Sequence, residues 1–192
     1  MSFSNPDGTI RKMAAERIKD QIVFASHFNA QVIIGLIRGK IEEGVKRVKA
    51  EEWTMDNLRE CTEFAKEYNI RLTLEPVNRY ESNFINTLNE GIELIKRVGA
   101  SNLGLLADTF HMNIEEVSIN DSIIQAKDYI THVHFADSNR WAPGCGHLDF
   151  AQIVQTLKKI GYQGYVSAEI LPFPDPDSCA RITAETLNKI LF

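Results

Sequence analysis

The chain has 192 residues, a formal net charge of −5, 44% hydrophobic and 24% charged residues; this composition can bury a core and lacks the basic surplus of a nucleic-acid binder. No apolar run approaches the ~18 residues of a membrane span, and Met1–Pro6 has neither the charged start nor the apolar stretch of a signal peptide. The three cysteines, Cys61, Cys145 and Cys179, are too few and too scattered for a disulfide framework or a zinc knuckle, and they fit a reducing cytoplasm.

In chain order, Ile10, Ala14, Ile18, Ile22 and Ala25 form an apolar stripe at helical spacing and predict a leading helix. Ala30–Ile37 reads as a first buried strand. Leu58, Cys61, Ala65 and Tyr68 mark a second helix, and Arg71–Val77 a second strand. Thr87 with Glu90 forms a capping box ahead of Leu88, Ile92 and Ile95, and Gly99 is the stop. Leu103–Asp108 and Thr131–Asp137 are the third and fourth strands. Asp149 caps a helix bearing Ile153, Leu157 and Ile160, closed by Gly161. Gly164–Leu171 is the fifth strand, and Ala180, Thr183, Leu187 and Ile190 give a last helix.

Strand followed by helix, five times over, implies parallel βα units. A closed barrel of eight such units needs about 250 residues, roughly 31 per unit, so the chain is too short for an ordinary full barrel. A small doubly wound open sheet fits the length equally well, and the choice falls to the chemistry at the strand ends.

Ionisable groups sit where buried strands rarely carry them, because burial without a partner is costly. Glu75, Asp108 and Glu169 each end a strand, and His132 and His134 lie in another. Side chains alternate along a strand, so Glu75 shares a face with Thr73, His134 with His132, and Glu169 with Ser167 and Tyr165. The opposite faces, Leu72 and Leu74 or Val166 and Ala168, suit packing against helices. Any one of these groups alone has a plainer explanation: a helix cap, a surface ion pair, or a hydrogen-bonded core histidine. Four in register on successive strands do not, and the C-terminal strand ends are where barrel enzymes build their sites. Three carboxylates and one imidazole suit a hard or borderline divalent ion, with Mn²⁺ expected first and Co²⁺, Mg²⁺ or Zn²⁺ compatible.

Polar segments follow the strands directly: Asn78–Glu81, Thr109–Asn113 and Ser138–Trp141. Lying on loops over a metal, they read as a substrate cradle. Arg79 fits equally well as an internal ion pair bracing the site, and Asn113 as the cap of a helix starting at Ile114. Cys145 lies in a glycine-flanked turn with no base placed beside it by spacing, so it reads as structural. His147 is either a turn residue or part of a lid.

Glu75-Pro76-Val77-Asn78-Arg79-Tyr80-Glu81, Asp108 through Asn113, His132-Val133-His134, Asp137 through Arg140, and the late Glu169 together resemble the sugar-phosphate isomerase/epimerase superfamily, whose fold is a xylose isomerase-like TIM barrel. They look most like its ketose 3-epimerases of the D-tagatose 3-epimerase and 5-keto-L-gluconate epimerase type. The resemblance runs over essentially the whole chain. It implies one TIM-type barrel domain over residues 1–192, incomplete at its N-terminus: a leading helix plus five βα units, with about three strands missing. It implies a divalent metal on Glu75, Asp108, His134 and Glu169, with Glu75 and Glu169 as the acid–base pair. It also implies that Glu81, His111 and Arg140 hold substrate oxygens.

The expected reaction is epimerisation of a ketose or keto-sugar acid at the carbon next to the carbonyl, through an enediolate. An aldose–ketose isomerase of the same superfamily would use the same groups, and a weakly active truncated remnant is a further alternative. A metal-dependent apurinic-site endonuclease shares the barrel, but five histidines and a net charge of −5 disfavour it. An open barrel leaves bare strand edges, so either a homo-oligomer joined through one of them or a fragment of a longer protein is expected.

Overall fold

The computed structural model describes residues 1–191. They fall into two compact units, Met1–Leu105 and residues 106 onward. Strands are hydrogen-bonded neighbours in chain order, β1-β2-β3-β4-β5, and β3 is divided between the units.

The first unit opens with α1 (Gly8–Ser26), whose N-cap Asp7 accepts a hydrogen bond from the Thr9 N–H. That bond satisfies one of the orphan donors of the first turn. Ala14, Ala15, Ile18, Ile22 and Ala25 are its buried stripe, and it packs on α2 (Arg47–Glu67). The face of α2 includes Leu58, Cys61 and Ala65; Tyr68 lies past the helix end as its C-cap and is exposed.

β1 (Val32–Ile34) is shorter than the apolar run suggests, because the chain turns at Gly35 into a 3-10 turn, Leu36–Arg38. β2 (Leu72–Leu74) is wholly buried. It pairs parallel with β1, Val32 opposite Leu72 and Ile34 opposite Leu74, and with the first half of β3, Leu72 opposite Leu103 and Leu74 opposite Leu105. These valine, isoleucine and leucine side chains are the strand part of the core, each worth about 1.5–3 kcal/mol once buried. α3 (Leu88–Val98) starts with the Thr87/Glu90 capping box and ends at Gly99 with φ +77°, as the sequence predicts.

The second unit takes up β3, which spans Leu103–Asp108, at its last three residues. Two short helices follow, α4 (Thr109–Glu115) and α5 (Ile119–Gln125). Neither is foreseen at these bounds. The Thr109–Asn113 segment is helix and not loop, and its cap is Asp108, so Asn113 caps nothing and lies inside α4.

β4 (Ile130–Phe135) pairs parallel with β5 (Tyr165–Ala168), His132 opposite Tyr165 and His134 opposite Ser167. Between them α6 (Phe150–Lys159), capped by Asp149, buries Phe150, Ile153, Val154 and Leu157. Phe150 meets Phe135 at 5.1 Å between ring centroids. β5 is largely exposed, so Val166 and Ala168 gain little of the cover expected of them.

α7 (Pro176–Leu191) buries Cys179 and Thr183. The stripe expected to begin at Ala180 begins one residue earlier, and Ala180 is exposed. Among the described residues no helix is long and apolar enough to cross a membrane.

Candidate metal centre

In the second unit, the last residue of β3 and the fifth of β4 are aligned by a single side chain. Thr109, directly after Asp108, donates its hydroxyl to the Ala136 carbonyl at 2.7 Å and accepts from the Ala136 N–H at 2.9 Å. The bolt holds the start of α4 to the end of β4, and so fixes Asp108 relative to His134.

Asp108 is 1% exposed, and its two oxygens have different tasks. Oδ1 caps α4, accepting from the N–H groups of Phe110 at 2.8 Å and His111 at 3.3 Å. Oδ2 is buried and accepts no hydrogen bond; it faces His134 Nδ1 at 3.5 Å. The same Nδ1 lies 3.5 Å from Glu169 Oε2, and that oxygen is 3.3 Å from Arg140 Nη2. A buried carboxylate oxygen normally collects a donor, and 3.5 Å is the far limit of a hydrogen bond.

One ligand atom from each of Asp108, His134 and Glu169 lies within 4.8 Å of the others. Ligands bound at roughly 2.0–2.4 Å to one ion stand about 3–4.8 Å apart, so the donor atoms fit a shared divalent cation.

The close His134 ring, outweighing burial, together with the charges of Arg140 and His111, pulls the Glu169 pKa down to about 2. Its carboxylate is therefore ionised at neutral pH. His132, behind His134 at 5.1 Å between rings, is bound to Ser167 Oγ at 2.8 Å. Burial and the neighbouring His134 both lower its pKa and disfavour its charged form.

Of the residues expected to touch substrate, His111 is buried on α4. Arg140 sits in the left-handed region at φ +61°, with its guanidinium 5.0 Å over the Phe110 ring. Asp137, part of the family motif but given no role by sequence, is buried and shapes this loop. Its Oδ1 accepts from Ser138 and Leu148, and its Oδ2 from Gly144. A side chain at Gly146 would collide with the same carboxylate.

Glu75 and Glu81 belong to the first unit. Glu75 directly follows β2, is 7% exposed, and gives its N–H to the Ile34 carbonyl at 3.1 Å. Its carboxylate rests against Gly35, where a Cβ would fall 2.7 Å from Oε2. Glu81 accepts from Asn78 Nδ2 at 3.2 Å. Arg79 is exposed, and Cys145 is half-buried in its turn.

Three comparisons with known proteins bear on this geometry. The D-psicose 3-epimerase of Enterocloster bolteae is 43% identical over 117 residues, 61% of this chain and 38% of that protein. The D-psicose 3-epimerase of Ruminiclostridium cellulolyticum is 34% identical over 172 residues, 88% of this chain and 59% of that protein. The crystal structure of D-psicose 3-epimerase with D-tagatose from Clostridium cellulolyticum H10 is similar with a TM-score of 0.88 and 28% identity, over 99% of this chain and 74% of that one. The chain thus spans 38% to 59% of the length of these two curated relatives. The family model described as xylose isomerase-like TIM barrel matches residues 1–189, and the chain belongs to that family.

Proposed function

We propose that the chain carries a metal-dependent sugar epimerase site that inverts the carbon next to the carbonyl of a ketose or keto-sugar acid. The observation that carries this reading is the Asp108–His134–Glu169 cluster, with one buried Asp108 oxygen that accepts no hydrogen bond. The names of the relatives support the choice of reaction. In this reading Glu75 is the fourth ligand and Mn²⁺ the favoured ion. When bound, the ion would supply Lewis-acid stabilisation of the charge that develops on the sugar's oxygens.

The remaining work falls to the chain. Glu169, ionised at neutral pH, starts as proton acceptor, not donor. Glu75 and Glu169 come from different strands and serve the two faces of the reacting carbon, one removing a proton and the other returning one. Arg140, already beside Glu169, and the buried His111 donate to substrate oxygens and hold the developing charge. Glu81 orients a substrate hydroxyl. We further place the enzyme in the cytoplasm as a homo-oligomer of single-domain chains.

The test is incubation of the Mn²⁺-loaded chain with D-fructose, D-tagatose and keto-gluconates, before and after a chelator. A 3-epimer should form, with solvent deuterium at the inverted carbon. Absence of turnover on all of them with metal bound would overturn the reading. An aldose product would move it to the isomerase alternative.

A further inference from the structure

Arg38 lies outside the ligand set and the substrate cradle, yet it is the largest fully buried side chain among the described residues, at 0% exposure. A buried guanidinium is rare and needs partners for its donors. Here the two terminal nitrogens find backbone carbonyls, Gly35 O at 3.3 Å from Nη1, and Phe84 O and Ile85 O at 2.6 Å each from Nη2, while the buried Nε has no partner. Burial lowers the Arg38 pKa to about 10 against the opposing pull of Glu75, Glu90 and Glu81, so the group stays charged at neutral pH.

Each carbonyl belongs to a segment that sets an acidic residue. Ile85 has φ +60°, a conformation that a β-branched residue avoids and keeps only where its surroundings over-determine it. The surroundings here do so. Ser82 Oγ donates to Gly39 O at 3.0 Å, and Asn83 exchanges two hydrogen bonds with the Ile41 backbone at 2.8 and 3.1 Å. Asn86 Nδ2 donates to Val77 O and Ser82 O, both at 2.7 Å. Glu81 leads directly into this segment. At the other end of the guanidinium, Gly35 is the bare backbone on which the Glu75 carboxylate rests, with room for no Cβ.

We infer that Arg38 is a positioning residue for the sugar site: its buried guanidinium ties the Ser82–Asn86 segment, which sets Glu81, to the Gly35 backbone, which sets Glu75. The inference rests on the epimerase reading for the roles of Glu75 and Glu81. The tie itself does not.

The test uses the full chain with Arg38→Lys and Arg38→Met. Lysine keeps the charge, but its single nitrogen cannot span both carbonyl groups. In Arg38→Lys, hydrogen exchange should quicken at the amides of residues 82–86 and stay at wild-type rates in α1 and α2. In the Mn²⁺-loaded enzyme, KM for D-fructose should rise roughly tenfold with kcat changed less. Arg38→Met should do worse, and if it fails to fold, Arg38→Lys carries the test. In a cycle with Glu81→Gln, adding Arg38→Lys should cost less than it does in wild type, because part of its effect runs through Glu81. Multiplying effects, exchange that rises throughout the unit, or unchanged exchange at 82–86 would each overturn the inference. If the wild-type chain epimerises no ketose, the functional reading fails separately, and hydrogen exchange alone decides whether Arg38 is the tie.

Discussion

Glu75 and Glu169 are the same residue type at the same kind of position, just past a parallel strand, and they sit in different surroundings, one buried and one half-exposed. Glu75 follows a strand buried at every residue and is itself 7% exposed. Its carboxylate packs against a glycine, where a Cβ would fall 2.7 Å from Oε2, and it feels the buried Arg38 charge. Glu169 follows the exposed β5, and its side chain is 49% exposed. It is held by charge, between His134 and Arg140. A strand-end position therefore fixes where a carboxylate points but not what restrains it. The two should respond differently to substitution.

The largest expected effects are common to both. Glu75→Gln and Glu169→Gln should each lower epimerisation by ~10² or more, with metal content measured alongside because both are assigned to the ion. A glutamine variant that keeps near-normal turnover with metal bound would remove that glutamate from the mechanism.

Next is the charge beside Glu169, the Arg140 guanidinium. Arg140→Ala should lower kcat/KM by about 10² while metal affinity, read by calorimetry, changes far less. A large loss of metal with intact turnover per bound ion would contradict the substrate role and leave Arg140 as a mere brace.

Shape comes third. Gly35→Ala puts a methyl 2.7 Å from Glu75 Oε2 and should cost about tenfold in turnover. Ser167→Ala, on the exposed strand before Glu169, loses one bond to His132 and should stay within about twofold. Equal losses for the two would break the contrast between a buried and an exposed surrounding.

The last effect is on stability, a pH dependence in the Glu169 unit. Burial alone would raise Asp137, but the N–H groups of Ser138, Leu148, Gly146 and Gly144 outweigh it and bring its pKa below the ordinary 3.8. A carboxyl depressed in the folded state stabilises above its unfolded pKa, and that stability is lost as pH falls through the folded one. Wild type should therefore be more stable than Asp137→Asn by about 2 kcal/mol near neutrality, and their Tm values should draw together below about pH 4. Curves that stay parallel would show the hydrogen bonds to be immaterial.

Much of this protein is legible in local pattern. Helix caps depend on neighbours three or four residues apart, so Asp149 and the Thr87/Glu90 box with its Gly99 stop appear in the structure as the sequence implies. Period-two alternation places Asp108 and His134 on one face of adjacent elements, and the structure brings them to 3.5 Å.

Where one side chain answers two demands, pattern runs out. Asp108 is at once a ligand candidate and the cap of α4, so a helix begins where a loop is expected. The apolar phase of α7 is set by what packs on it, which puts Cys179 inside and Ala180 outside. Arg38, a cation in a glycine-flanked turn, has the local signature of a surface residue. Only the carbonyls of Phe84 and Ile85, about forty-six positions along the chain, bring it to zero exposure. Burial of a charge depends on distant partners that pay for its lost water, and no neighbour in sequence records them.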